Sequence, residues 1–224
     1  MTENKKHSLK LANIIAYALL GALAFVIMLF EIPLPITSFL KFDFSDVIIA
    51  IGTFLFGAGP GAFIALIRMA LHLIYHGFAL PSIVGQVAAF LASISFAFPF
   101  YFMTKNIKKD ATTAKKHLYP LLGIIIGILA MTVVLATLNA LVLTPMYAVT
   151  SIPNAPAIHS YPGLLNFTEK VYLAKLLHIP SMGTYIFSFI VPFNLVKGAI
   201  NGVVVYILFE TVLKSIKPFV EKHF

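Results

Sequence analysis

Runs of about twenty apolar residues, broken by short lysine-rich polar segments, constrain this chain more than any other feature. The first runs from Leu11 to about Phe30, and others begin near Ser82, Tyr119 and Met182. A helix of that length crosses the roughly 30 Å hydrocarbon core of a bilayer. With 224 residues, 60% hydrophobic and only 11% charged, the chain reads as an all-α integral membrane protein. The first run is too long for a signal-peptide core, and no clear small-residue cleavage site follows it, so it is kept as a span.

Six spans are expected within one domain, residues 1–224: about 11–30, 46–56, 60–75, 82–103, 119–143 and 182–212. Pro33 and Pro35 forbid a regular helix after the first span, so a structured loop is expected there. The stretch Gly57-Ala58-Gly59-Pro60-Gly61 reads as a tight turn. Residues 147–178 read as a long mixed loop holding a short helix at about 164–177. Six spans place both termini on one side. That side would hold Lys5, Lys6, Lys10, Lys105, Lys108, Lys109, Lys115, Lys116, Lys214, Lys217 and Lys222, against Lys41, Lys170 and Lys175 opposite. The positive-inside rule therefore puts both termini in the cytoplasm. The net charge of +8 then orients a protein in a lipid bilayer and does not imply nucleic-acid binding.

Polar residues inside the spans point to function. A lysine inside a membrane span costs about 3 kcal/mol or more, so such residues usually face a cavity, a partner or a substrate. Lys197 is such a residue, and Asn194 lies on the same helical face three positions earlier. The alternative is a lysine that snorkels to the interface. Arg68, His72 and Tyr75 share a face of the third span. With the expected orientation, Asp43, Asp46, Arg68, Asn139, Asn194 and Lys197 converge on a pocket open to the outside, with Phe42, Phe44, Tyr75, Tyr147 and Phe193 as candidate rings. Apolar walls carrying a few placed hydrogen-bonding groups describe a small-molecule site. Asp46 has a second reading as the N-cap of the second helix, Arg68 as a structural ion-pair partner, and His72 as a satisfied core histidine.

Other chemistries lack their motifs. There is no G-x-x-x-x-G-K-[ST] phosphate loop, no H-E-x-x-H zinc helix and no G-x-S-x-G nucleophile elbow. The absence of cysteine removes thiolate ligands and thiol nucleophiles. His72 and His76 have i, i+4 spacing, yet no third metal ligand is evident. The chain reads as a binder with no catalytic residues, no cofactor and no metal.

Lys41-Phe42-Asp43-Phe44-Ser45-Asp46-Val47, then Phe56-Gly57 and Gly59-Pro60, then Val191-Pro192-Phe193-Asn194-Leu195-Val196-Lys197-Gly198 resemble the substrate-binding S component of energy-coupling factor (ECF) vitamin transporters. Asn139-Ala140-Leu141-Val142-Leu143-Thr144-Pro145-Met146-Tyr147 is similar to the riboflavin-specific members in particular. The resemblance runs from about Leu11 to Lys214. It implies a six-helix, multi-pass protein of the bacterial cell membrane that captures riboflavin from outside for ATP-driven uptake. Its implied partners are one transmembrane coupling protein and two ATPase subunits, which accounts for the missing phosphate loop. The implied substrate-binding residues are Asp43, Asn139, Asn194 and Lys197, with Phe42, Arg68 and Tyr147 completing the candidate set. Small residues of the first helix, Ala12, Ala16, Ala18 and Ala22, match the implied docking face. Sister families for other vitamins, chiefly pantothenate, share the fold, and a stand-alone facilitator is a further alternative.

Overall fold

A computed structural model describes residues 2–34, 37–107, 112–152, 155 and 157–223. Pro35, Lys108 and Lys109 lie outside the described residues. Helix α1 (Thr2–Met28) leads into a hairpin of β1 (Ile32–Leu34) and β2 (Thr37–Phe42). Then come α2 (Ser45–Phe56), α3 (Ala58–His76) and α4 (Leu80–Thr104). Helix α5 runs unbroken over Thr113–Ser151. Helix α6 (Tyr161–Phe167) continues through π-helical turns at Thr168–Leu176, and α7 occupies Met182–His223.

Five of these helices, α1, α3, α4, α5 and α7, are long and apolar enough to cross a membrane, by length and composition, among the described residues. Helix α2 is apolar but has only 12 residues, about 18 Å at 1.5 Å per residue. It starts late because the chain after α1, where Pro33 breaks the helical pattern, forms a two-stranded ribbon. There Ile32 pairs with Phe42 and Pro33 with Lys41, with an irregularity after Pro33, and Glu31 ion-pairs with Lys41. The expected structured loop is therefore an antiparallel hairpin.

The expected glycine turn after α2 is a single residue. Gly57 adopts φ 105°, a conformation open to glycine, and α3 starts at Ala58. Elsewhere glycine sets helix spacing: a Cβ added at Gly127 would lie 2.4 Å from the Phe96 carbonyl oxygen, so α4 and α5 approach backbone to backbone there.

Two departures from expectation share one cause. Thr144-Pro145 reads as the end of the fifth span, but the helix passes through it. A π-helical turn at Asn139–Leu143 widens the helix immediately before the proline, and Pro145 then falls in the first turn of the next α-helical segment, where a missing N–H is tolerated. The Tyr161 hydroxyl donates to the Leu141 carbonyl at 2.7 Å, four residues before Pro145, where an α-helix would have used the N–H that proline lacks. Likewise a π-helical turn at Ile186–Ile190 precedes Pro192. The expected loop over residues 147–178 thus shrinks, its start belonging to α5, while the short helix expected at about 164–177 is present as α6 and its π-helical continuation.

Apolar packing forms two clusters. One gathers Phe54, Phe96, Phe100, Ile124, Val205 and Phe209 from α2, α4, α5 and α7. The other joins Leu40 of the hairpin to Ala148, Tyr172, Leu173, Tyr185 and Ile190. Between them, at the bundle end opposite the chain termini, lies a cavity.

Candidate ligand-binding site

The cavity has a volume of about 410 Å³, within the range of small-molecule sites. Asp43, Arg68, Asn139, Tyr147, Asn194 and Lys197 all line it, as do Asp46 and Phe193. Three rings expected there do not. Phe42 and Phe44 pack edge-to-face on each other at 5.1 Å and are not among the wall residues. Tyr75 is exposed and packs on Phe25 at 5.9 Å. It is His76, one i, i+4 step beyond His72, that reaches the wall.

The floor is a buried charge cluster. Lys197 Nζ donates to Asp43 Oδ2 at 3.0 Å and lies 3.5 Å from Asp46 Oδ2. Its side chain, 13% exposed, is turned to these acids and not snorkelled away. Arg68 Nη1 donates to Ser45 Oγ at 2.9 Å and to Asp46 Oδ1 at 3.4 Å. Ser93 Oγ reaches Asp46 Oδ1 at 2.5 Å. The Asp43 carboxylate also accepts from the Ser45 amide at 2.8 Å and from the Ser45 hydroxyl. Asp46 is therefore no N-cap: it sits in the first turn of α2 and holds α3, α4 and α7 to α2. Removing a charge from water is costly unless it is paired and hydrogen-bonded, and these four charges meet that condition for one another.

Above the floor the amides behave differently. Asn139 Nδ2 donates to the Leu135 carbonyl and Asn194 Nδ2 to the Ile190 carbonyl, each at 2.8 Å. These back-bonds to residue i−4 fix the side chains, and the buried Asn139 Oδ1 is left without a partner. Both amides flank π-helical turns, at Asn139–Leu143 and Ile186–Ile190, a feature frequent at functional sites.

Several wall residues were not singled out from the sequence as pocket residues. Gln86 and Ser82 of α4 line the cavity, and the buried Gln86 Oε1 and Ser82 Oγ have no partner. His72 Nδ1 also lacks one, so His72 is not the satisfied core histidine of the bland reading. Gln86 was findable, being the only amide in the 25-residue apolar helix α4. Asn201 was findable too, seven positions after Asn194 on the same face. Its Nδ2 donates to the Asp43 carbonyl at 3.2 Å and braces the loop before α2. The rings of His72 and His76 stack at 4.1 Å, and among the described residues no cluster of three or more metal-ligating side chains forms.

On α1, the exposed Ala18 and half-buried Ala22 fall in the outward arc of Leu11, Ile14, Ile15, Leu19, Leu23, Val26 and Leu29, whereas the half-buried Ala12 and Ala16 lie about 120° round, at the edge of that arc. The four alanines thus form two stripes.

The family model for the ECF transporter, substrate-specific component, matches residues 12–209. Riboflavin transporter FmnP of Bacillus subtilis is 27% identical over 215 residues, 96% of each chain. Riboflavin transporter RibU of Staphylococcus aureus is 29% identical over 218 residues, 97% of this chain and 95% of that one. A solved structure reported under "Structure and mechanism of the S component of a bacterial ECF transporter" aligns with a TM-score of 0.65 at 29% identity, covering 93% of this chain and 99% of the other.

Proposed function

The chain belongs to the substrate-specific components of ECF transporters, and from that premise we propose that it captures riboflavin at the outer face of the cell membrane for ATP-driven uptake. It is a multi-pass membrane protein and a binder, not an enzyme. The six crossings are α1, α2, α3, α4, α5 and α7, with the hairpin making up the length that α2 lacks. Both termini lie in the cytoplasm, beside most of the lysines. Residues 1–224 act as one domain.

One observation carries the choice of ligand: the cavity's charges cancel among themselves while Ser82 Oγ, Gln86 Oε1 and Asn139 Oδ1 remain open. Glu31, Asp43 and Asp46 are matched by Lys41, Arg68 and Lys197, all on the cavity wall. An anionic vitamin such as pantothenate requires an uncommitted cation. Riboflavin is neutral, with a hydrogen-bonding heterocycle edge and a chain of hydroxyls, and it suits groups that donate and accept without net charge. Asn139, Asn194 and Lys197 hydrogen-bond the flavin, with Asp43 holding Lys197 in place. Tyr147 and Phe193 pack against it, Arg68 presents its free Nε and Nη2, and Phe42 supports the hairpin from outside the wall. A transmembrane coupling protein and two ATPases dock on the first helix around Ala18 and Ala22, with Ala12 and Ala16 at the edge.

The test is a titration of the purified protein with riboflavin, followed by flavin fluorescence. Stoichiometric quenching that survives washing is expected. Absence of quenching in a folded sample, with binding of pantothenate instead, would overturn the choice of vitamin.

A further inference from the structure

Arg68, His72 and His76 repeat at every fourth residue of α3, and all three line the cavity. Ser82, Gln86, Ala89 and Ser93 repeat at the same helical spacing on α4. At their inner ends both rows enter the charge cluster, through Arg68 and through the Ser93 bond to Asp46. From there the α3 row runs about 12 Å to His76 at the mouth. Between the bonded Ser93 hydroxyl and the mouth, several polar atoms of this double row are open. Arg68 Nε and Nη2, His72 Nδ1, Gln86 Oε1 and Ser82 Oγ are buried without a hydrogen-bond partner. His72 and Gln86 are more than nine-tenths buried. Buried polar groups in folded proteins are nearly always paired, so five open atoms along one wall call for a ligand.

Their chemistry selects the kind of ligand. Gln86 Oε1 accepts, the Arg68 nitrogens donate, and the Ser82 hydroxyl does both. No rigid planar edge matches that order over several helical turns, but a flexible chain of hydroxyls does, since each hydroxyl donates and accepts. Space is kept for it by Gly85 and Ala89, both on the wall; a Cβ at Gly85 would sit 3.3 Å from the Tyr147 hydroxyl.

We infer that the α3–α4 wall is the subsite for the hydroxylated chain of the ligand, with Gln86 and Ser82 as its specificity-determining residues. This rests on the proposed riboflavin reading and divides the cavity. The ring system meets Asn139, Asn194 and Lys197 on α5 and α7. The polyol lies along α3 and α4.

The experiment compares riboflavin with lumiflavin, which carries a methyl group where riboflavin has its polyol. Both are titrated against the unaltered protein, Gln86→Leu and Ser82→Ala. The unaltered protein is expected to bind riboflavin more tightly than lumiflavin. Gln86→Leu is expected to weaken riboflavin about tenfold and Ser82→Ala about threefold, as for lost hydrogen bonds. Lumiflavin affinity should move less than twofold in either, so the preference between the flavins collapses. Equal weakening of both flavins, no change in either, or no preference in the unaltered protein overturns the assignment. Should Gln86→Leu fail to fold, the smaller Ser82→Ala change decides by the same ratio. Failure of the unaltered protein to bind riboflavin at all removes the riboflavin reading and this subsite with it. Riboflavin binding with an unchanged preference removes the subsite alone.

Discussion

At the floor of the cavity, Asp43, Asp46, Arg68 and Lys197 are joined by ion pairs and hydrogen bonds from four different parts of the chain. One turn further along α3, and at Asn139 on α5, equally buried polar atoms have no partner. Both regions are buried, so burial alone does not explain the contrast. Ion-paired groups hold the fold once the chain has folded, and Arg68, whose Nε and Nη2 stay open, belongs to both regions. Unsaturated groups wait for a second molecule, and the cost of their desolvation is recovered when it arrives. Floor and wall should accordingly fail in different ways when altered.

The largest effect is expected away from both regions. Ala18→Trp or Ala22→Trp should abolish uptake in vesicles that contain the partner module while leaving flavin affinity unchanged. A loss of affinity would show that the outward face of α1 communicates with the cavity and would blur the comparison at its base. Next comes Asp46→Ala, which strips partners from Arg68, Ser93 and Lys197 at once. Breaking a buried ion pair typically costs about 3–5 kcal/mol, visible as a large drop in melting temperature in detergent without ligand. A melting temperature that does not move would deny the floor its structural role.

Asn194→Ala is the converse, with riboflavin affinity about tenfold lower and little change in melting. Lys197→Ala should lose both, because Lys197 belongs to the floor through Asp43 and to the ligand through its place on the wall. If Lys197→Ala reduces affinity alone, the floor is tolerant of unpaired acids. The smallest effect is expected from Tyr161→Phe, which removes the bond to the Leu141 carbonyl for about 1 kcal/mol. Melting should shift slightly, with affinity unaffected, since Tyr161 belongs to neither region.

The sequence exposed the floor more fully than the wall. Asn194 and Lys197 announce themselves by their spacing and by the penalty for polar groups in a span. Arg68 and the two aspartates follow, because buried charges require partners. Whether a group has found its partner is a property of three dimensions, so His72 reads from sequence as a core residue although its Nδ1 is open. Gln86 could have been singled out, as a lone amide in an apolar helix, but α4 offered no second polar residue of comparable size to draw attention to it. The rings at Phe44 and Tyr75 mislead for a simpler reason: aromatic residues near a site are common, and only the packing of neighbouring elements, such as Phe25 against Tyr75, decides which of them enter it. Thr144-Pro145 misleads because a proline read alone stops a helix, whereas a proline after a π-helical turn does not. The short helix α2 is legible as apolar, but the hairpin before it is not, since Pro33 argues only against helix.

The equal numbers of acids and bases around the cavity have an electrical consequence. A unit charge moved through a membrane potential of 100 mV gains or loses about 2.3 kcal/mol. Counted over its carboxylates, lysines and arginine, the cavity carries no net charge, and neither does riboflavin. Filling the site, or carrying it filled through the bilayer, moves no net charge of cavity or cargo across the field. The voltage that drives many other uptake systems has nothing here to pull on, so accumulation against a gradient must draw its work from outside this chain.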